Sequence, residues 1–338
     1  MSEPANDTAA PTQSTALASV GAAPHVIATR TEPQAIVPLA HEHAELEHAE
    51  LEPVQRKPAE LLRTYASEPT PAPAYELHAA SFLWGLAQPL LGLRMLWRHQ
   101  DLLTRAILPV LGFVGVCLVV AEGGSGVFSW IGAYYLTLIA AAPLSPILFC
   151  RNYARLAALA RPHFGLEPRE PYLRSFRQTL VEAFVQLLVV GLGVAPLAGL
   201  VAAFPLIGPV WAAVLGYLWA LHWVVVEALD SAKTLPPGAS EPPPTDHLDR
   251  PWFAAPASWH LRGWAATLFA PLRWWTRMLG RLGAHWRGEV EIVERRPWIA
   301  SGFALGSALL LAIPVLNLLF RPAVVVAAAH VLGRLEDE

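Results

Sequence analysis

Long apolar runs, separated by short turns rich in proline and glycine, dominate the chain from about residue 82 to residue 332. The first candidate span, residues 102–121, ends at a turn that contains three glycines between Glu122 and Gly126. The second apolar run, residues 127–150, contains no charged residue. A helix needs about 20 apolar residues to cross the hydrocarbon of a bilayer. Both runs are therefore predicted to be complete transmembrane helices.

Two more apolar runs, residues 180–204 and 206–226, are separated only by the segment from Pro205 to Pro209, which has no polar side chain. A turn that emerges into water is normally polar. This turn is therefore predicted to stay at membrane depth, where protein or a water-filled cavity must cover its backbone. The two runs together are predicted to form a tilted or re-entrant helical hairpin.

The last apolar region repeats this design. Residues 298–313 run into Pro314, and the short apolar run 323–332 that follows Pro322 cannot span the hydrocarbon as a helix. The predicted fold class is an all-α membrane protein with two long transmembrane helices and two Pro-interrupted helical hairpins, and the alternative is six transmembrane helices. The predicted hairpin tips carry Pro205, Gly208, Pro209, Pro314, Asn317 and Arg321.

The chain divides into five regions by composition. Residues 1–80 are predicted to be a disordered, acidic, Pro/Ala-rich arm, and residues 81–235 the first part of the membrane domain, which opens with an interfacial helix. Residues 236–256 are predicted to be a disordered Pro-rich linker, residues 257–290 a basic amphipathic cytoplasmic helix region, and residues 291–338 the closing hairpin with a short charged tail. In the arm, His41, His43 and His48 lie among glutamates, which favours a solvated tail over a metal site.

Basic residues indicate the orientation. Arg94, Arg98 and Arg105 precede the first span, whereas the turn after it has one acidic and no basic residue. The segment after the second span is basic again, as is the long segment between residues 262 and 296. Because cytoplasmic loops of membrane proteins are enriched in Lys and Arg, both termini and the large loops are predicted to be cytoplasmic.

Composition and motifs argue against a soluble enzyme. Only 15% of the 338 residues are charged, whereas soluble domains have about 25%. The chain has no phosphate-binding glycine motif, nucleophile elbow or zinc-protease motif, and its two cysteines have no metal-ligand spacing. We expect no catalytic residue, no cofactor, no bound metal and no nucleic-acid partner.

Polar groups at membrane depth are the candidate functional residues, because burying them in hydrocarbon is costly. Two pairs of polar residues lie near the ends of apolar runs, and Arg321 lies between two apolar runs. The pairs are Glu182 with Gln186, and His222 with Glu227. Interfacial placement would also explain the two glutamates, and a hydrogen-bonded packing role would also explain His222.

Arg273, Arg277 and Arg281 recur every four residues beside an apolar stripe, which is typical of a basic amphipathic helix. Such a helix binds the surface of a membrane that contains anionic lipid. A helix packed on the protein's own cytoplasmic face would show the same pattern. Both interpretations remain open at this point.

Four motifs resemble the CysZ-type sulfate transporter and etoposide-induced protein family. They are Gly92-Leu93-Arg94 with Ile107-Leu108-Pro109-Val110, Ala142-Pro143-Leu144, Phe204-Pro205-Leu206-Ile207-Gly208-Pro209, and Ile313-Pro314-Val315-Leu316-Asn317. The acidic residues that usually follow the second motif are replaced by Ser145-Pro146. The resemblance covers roughly residues 82–332 and leaves out most of residues 236–286.

The resemblance implies a permease for sulfate or a related small oxyanion in the bacterial inner membrane. It also implies that Gly92, Leu93 and Arg94 bind the substrate, and a guanidinium suits a tetrahedral oxyanion. The alternative function is a non-transporting membrane organiser that binds anionic lipid or protein partners. Partly penetrating hairpins need protein around their ends, which favours homo-oligomerisation.

Overall fold

The structure is a computed structural model that describes residues 57–122, 126–141, 145–205, 207–242, 248, 251–312 and 314–336. The described chain is mostly helical. Its α-helices are α1 (Pro58–Tyr65), α2 (His78–Arg98), α3 (Gln100–Ala121), α4 (Val127–Ala141), α5 (Ser145–His163), α6 (Phe176–Gly193), α7 (Ala195–Ala202), α8 (Gly208–Ser231), α9 (Trp264–Leu268), α10 (Ala270–Leu282), α11 (Arg287–Arg295), α12 (Pro297–Leu311) and α13 (Pro314–Glu336).

Short elements complete the described fold. Two 3₁₀ helices cover Trp252–Ser258 and Gly283–Trp286. Two strands of two residues each, β1 (Glu170–Pro171) and β2 (Thr234–Leu235), pair antiparallel, with Glu170 opposite Leu235. This pairing connects the segment before α6 to the segment after α8.

Three helical segments are long and apolar enough to cross a membrane, judged by length and composition. They are Gln100–Val119, Phe176–Ala202 and Gly208–Ser231. Many of their large apolar side chains face outward, including Leu108 and Leu187, each more than two-thirds exposed. Such an exposed apolar surface is typical of a protein whose surroundings are lipid. The prediction of a mostly helical protein with helices long and apolar enough to span a membrane is confirmed.

The predicted second span is described in two pieces, α4 and the beginning of α5, and residues 142–144 lie outside the described residues. The closing hairpin consists of α12 and a longer α13 than the sequence predicted. Pro314 begins α13, where a missing N–H costs no hydrogen bond. Asn317 and Arg321 therefore lie inside the first two turns of this helix and not in a non-helical tip.

Helix α2 was predicted to lie at the membrane interface, and in the structure one face of it packs against other helices of the protein. Trp84 and Leu91 on α2 are fully buried. A Cβ atom on Gly302 of α12 would lie 2.0 Å from the carbonyl oxygen of Phe82, so the two backbones are in direct contact. Glycine permits this close approach, as small residues do between membrane helices.

Two predicted domain boundaries also need correction. The arm was predicted to be disordered through residue 80, but α1 packs Leu61 and Tyr65 into the hydrophobic core. The linker was predicted to be disordered through residue 256, but the 3₁₀ helix Trp252–Ser258 buries Phe253 in the same core. Both elements have eight or fewer residues, too few for a periodic hydrophobic pattern. The rest of the arm, residues 1–56, lies outside the described residues.

Candidate functional site

A cavity of about 390 Å³ lies among α5, α6, α8 and α13. Its walls are mostly apolar, and five of its lining residues carry charge. These charged residues are Arg174, Glu182, Glu227, Asp230 and Arg321. A mostly apolar cavity of this size with a few convergent polar groups is the usual form of a small-molecule site.

One ion pair between two helices forms part of the lining of this cavity. A guanidinium nitrogen of Arg321, in the second turn of α13, donates a hydrogen bond to a carboxylate oxygen of Glu227 on α8. Both side chains are largely shielded from solvent, with exposed fractions of 16% and 28%. Because each charge is poorly solvated, each depends on the other for stabilisation.

A second charged group surrounds Arg174, which lies between β1 and α6. Its Nη1 donates to Glu182 Oε2 at 2.8 Å and to Asp230 Oδ2 at 2.6 Å, and its Nη2 donates to the carbonyl oxygen of Asp230 at 2.7 Å. Burial alone would lower the pKa of Arg174, but Asp230 and Glu182 outweigh it and raise that pKa above the ordinary value. Arg174 therefore stays charged and connects the start of α6 to the end of α8.

Lys233 and His285 extend this group toward α11. Lys233 Nζ lies 2.6 Å from Glu289 Oε1 and 3.4 Å from Asp230 Oδ1. His285 Nε2 lies 3.1 Å from Glu182 Oε1. Burial opposes the charge on Lys233, but Asp230 and Glu289 together raise its pKa. Cations and carboxylates alternate through this network, so nearly every buried charge has an opposite neighbour.

The cavity brings together four residues that the sequence singled out at membrane depth. Glu182, Gln186, Glu227 and Arg321 all line it. His222 does not, and its ring lies among Trp219, Trp223 and Trp252 on and beside α8. Arg174 and Asp230 were not singled out from the sequence. These two lie 56 residues apart, so no local pattern links them.

The predicted substrate-binding residues Gly92, Leu93 and Arg94 lie in the second half of α2, outside the cavity lining. Their backbone N–H groups are inside a helix, where each is used by the carbonyl four residues earlier. A Cβ on Gly92 would lie 2.2 Å from the carbonyl oxygen of Ala323, so this glycine serves packing against α13. The Arg94 side chain is exposed, and its Nη1 donates to Ser67 Oγ at 3.2 Å.

The predicted tip around Pro205 joins α7 to α8, with Gly208 and Pro209 as the first two residues of α8. A Cβ on Gly208 would lie 2.3 Å from the carbonyl oxygen of Val201, so the turn is tight. This tip lies outside the cavity lining. The predicted amphipathic helix corresponds mainly to α10.

Helix α10 packs on the protein through Thr276 and Leu279, which are buried. Arg277 and Arg281 are exposed on the opposite face, whereas Arg273 is half-buried. The interpretation that the helix packs on the protein's own surface thus holds for its apolar face. Its basic face is open to solvent.

No protein-family model, curated protein or solved structure matches this chain. The resemblance to CysZ-type proteins therefore stays a prediction from four motifs.

Proposed function

We propose that the chain is a membrane permease that binds a small oxyanion, such as sulfate, in the cavity among α5, α6, α8 and α13. The observation that carries this proposal is the Arg321–Glu227 ion pair at the cavity wall. Ionisable groups among membrane helices are costly, and they commonly mark the path of a substrate or proton. A permease for sulfate in the bacterial inner membrane is also what the motif resemblance implies.

The two arginines of the cavity have different tasks in this proposal. Arg174 is held by three acceptor atoms on Glu182 and Asp230, so it serves to fix α6 against α8. Arg321 has one hydrogen-bonded carboxylate among the described residues, that of Glu227. Arg321 is therefore the cation that an incoming oxyanion can reach by displacing a single partner.

The pair also provides a way to couple the anion to a proton. When Glu227 takes a proton from solvent, its carboxyl group loses its negative charge and releases Arg321. The guanidinium can then donate two parallel N–H bonds to the oxyanion, as it does to carboxylates and phosphates. When the anion leaves, Glu227 gives up the proton and pairs with Arg321 again. Anion and proton would thus move in the same direction.

The test is uptake of labelled sulfate into proteoliposomes that contain the purified full-length protein, with an imposed proton gradient. The variant Arg321→Gln is expected to lower uptake at least about tenfold, because a hydrogen bond to a charged group contributes about 1.5–3 kcal/mol. Arg295→Gln is the matched control, since Arg295 is 73% exposed and lies outside the cavity lining.

The double variant Arg321→Gln/Glu227→Gln removes both charges and avoids leaving a buried carboxylate without a partner. It is expected to lose uptake in the same way. Arg94→Ala tests the motif-based site separately and should leave uptake unchanged if the cavity binds the anion. Uptake that survives in the double variant would refute the cavity as the site, and loss only in Arg94→Ala would move the site to Gly92–Arg94.

A second candidate function is recruitment of anionic lipid through α9 and α10. Trp264, Leu268 and Trp274 are each more than 60% exposed, and Arg277 and Arg281 are exposed beside them. Apolar side chains with adjacent arginines suit the interface of a membrane with negative headgroups. This pattern supports the organiser function and does not need the cavity.

Lipid retention tests this second function. The full-length protein is purified from mixed phosphatidylglycerol–phosphatidylcholine nanodiscs, and retained lipid is identified by native mass spectrometry. Each arginine near an anionic surface contributes about 1 kcal/mol, so Arg277→Gln/Arg281→Gln should lower the preference for phosphatidylglycerol by roughly 30-fold. An unchanged preference, with Arg295→Gln as control, would reject this surface as the lipid site.

A further inference from the structure

Three side chains with metal-binding atoms meet where three helices end or begin, outside the cavity lining. His99 is the single residue between α2 and α3, Asp101 lies in the first turn of α3, and His163 is the last residue of α5. One ligand atom from each of the three lies within 4.8 Å of the other two. The sequence gives no hint of this cluster, because His163 is 62 residues from Asp101.

The internal geometry of the cluster is close to that of a metal site. His163 Nε2 lies 3.0 Å from Asp101 Oδ2, and the imidazole rings of His99 and His163 have centroids 4.0 Å apart. Ligand atoms about 2.0–2.1 Å from a tetrahedral zinc ion are separated by about 3.3 Å. Small rotations of the three side chains would therefore bring them around one ion.

The chemistry of the three ligands favours zinc. Imidazole nitrogen and carboxylate oxygen are both ordinary zinc ligands, and sites with three protein ligands complete the tetrahedron with water. The two histidines are half-buried and the aspartate is exposed, so an ion could enter from solvent and keep one water. All three residues lie at helix ends, next to the buried side chains of Leu96, Leu102 and Phe164.

We propose that His99, Asp101 and His163 bind a zinc ion that ties the α2–α3 junction to the C-terminal end of α5. The site needs no contribution from the cavity and does not depend on the proposed permease function. The ion would hold the two neighbouring imidazoles as ligands and fix the relative position of α3 and α5. Zinc binding should therefore stabilise the folded chain as ligand binding does in general.

The test uses the full-length protein in detergent, stripped of metal, with Zn²⁺ and Co²⁺ as probes. A competition titration with a chromophoric chelator should give one Zn²⁺ per chain. Co²⁺ at the same site should give the visible absorption of a tetrahedral complex. His99→Phe keeps a ring beside His163 but removes a ligand nitrogen, and Asp101→Asn replaces an exposed carboxylate. Loss of a residue that only supports a ligand lowers metal affinity by roughly 10–100-fold, so each of these variants should weaken zinc binding by at least that factor.

Two controls make the outcome decisive. His260→Phe removes an exposed histidine outside the cluster and should leave the titration unchanged. A variant with His41→Ala, His43→Ala and His48→Ala tests the histidine-containing arm and should also bind one ion. The proposal is overturned if the arm variant loses the ion while His99→Phe keeps it. It is equally overturned if no variant differs from the unmodified protein, which would leave Asp101 and His163 as a hydrogen-bonded pair without a metal.

Discussion

The guanidinium of Arg321 on α13 is ion-paired with the carboxylate of Glu227 on α8, 94 residues earlier in the chain. Both residues line the cavity, and both were singled out by their position in apolar sequence. The pair connects the closing hairpin to a helix that is long enough to cross a membrane. A movement of α13 away from α8 would break this contact, so we expect the pair to control such a movement in the proposed permease.

Glu227→Gln should separate anion binding from proton coupling. The amide cannot take up or release a proton, so Arg321 is left available to sulfate at every pH. In a titration of purified protein we expect tighter sulfate binding than in the unmodified protein at pH 8. We also expect the same affinity at pH 6 and pH 8. If the sulfate affinity of this variant still decreases as the pH rises, the proposed role of Glu227 is contradicted.

Arg174→Gln should be strongly destabilising. It leaves Glu182 and Asp230 as neighbouring carboxylates in a poorly solvated site, and removal of one partner from a buried ion pair costs about 3–5 kcal/mol. The matched control Arg295→Gln breaks a pair at a largely exposed arginine on α11 and should cost about 0.3–0.5 kcal/mol. Denaturant unfolding in detergent, followed by circular dichroism, measures both. Equal losses for the two variants would refute the structural role of Arg174.

Lys233→Met should lower the stability by the same amount at pH 6 and at pH 9. The folded-state pKa of Lys233 is raised by Asp230 and Glu289 above the ordinary value of 10.5. The stabilisation from its charge is therefore fully present below pH 10.5 and is lost only as the pH rises through the higher folded-state value. Thermal unfolding at the two pH values, compared with the unmodified protein, gives the measurement. If the difference in stability between the variant and the unmodified protein is smaller at pH 9 than at pH 6, the raised pKa of Lys233 is contradicted.

Gly302→Ala should loosen the contact between α2 and α12. Its Cβ would lie 2.0 Å from the Phe82 carbonyl oxygen, and this backbone cannot move aside as a flexible side chain can. Overpacking of this kind costs about 1–3 kcal/mol. Gly199→Ala on α7 is the control, because a Cβ there has no atom within 4 Å. The control should be neutral or slightly stabilising, since alanine favours helix over glycine. Similar melting temperatures for the two variants would count against the close α2–α12 packing.

The sequence by itself determined the helical, membrane-type character of the chain and the position of three helical segments that are long enough to cross a membrane. Length and hydrophobicity are local properties, so α3, α6 with α7, and α8 could be predicted from their own residues. For the same reason Glu182, Glu227 and Arg321 could be recognised as costly polar groups in apolar surroundings. Helix α10 could likewise be predicted from the spacing of its arginines.

Only the tertiary structure decided which of these residues meet. Arg174 pairs with Asp230 across 56 residues, and His163 meets Asp101 across 62, because side-chain hydrogen bonds form through space and leave no periodic trace in the sequence. The burial of α2 was also decided by packing, since glycines at helix contacts add nothing to hydropathy but allow backbones to touch. The packed face of α10 shows the same limit, because an amphipathic pattern specifies an apolar surface without specifying what covers it.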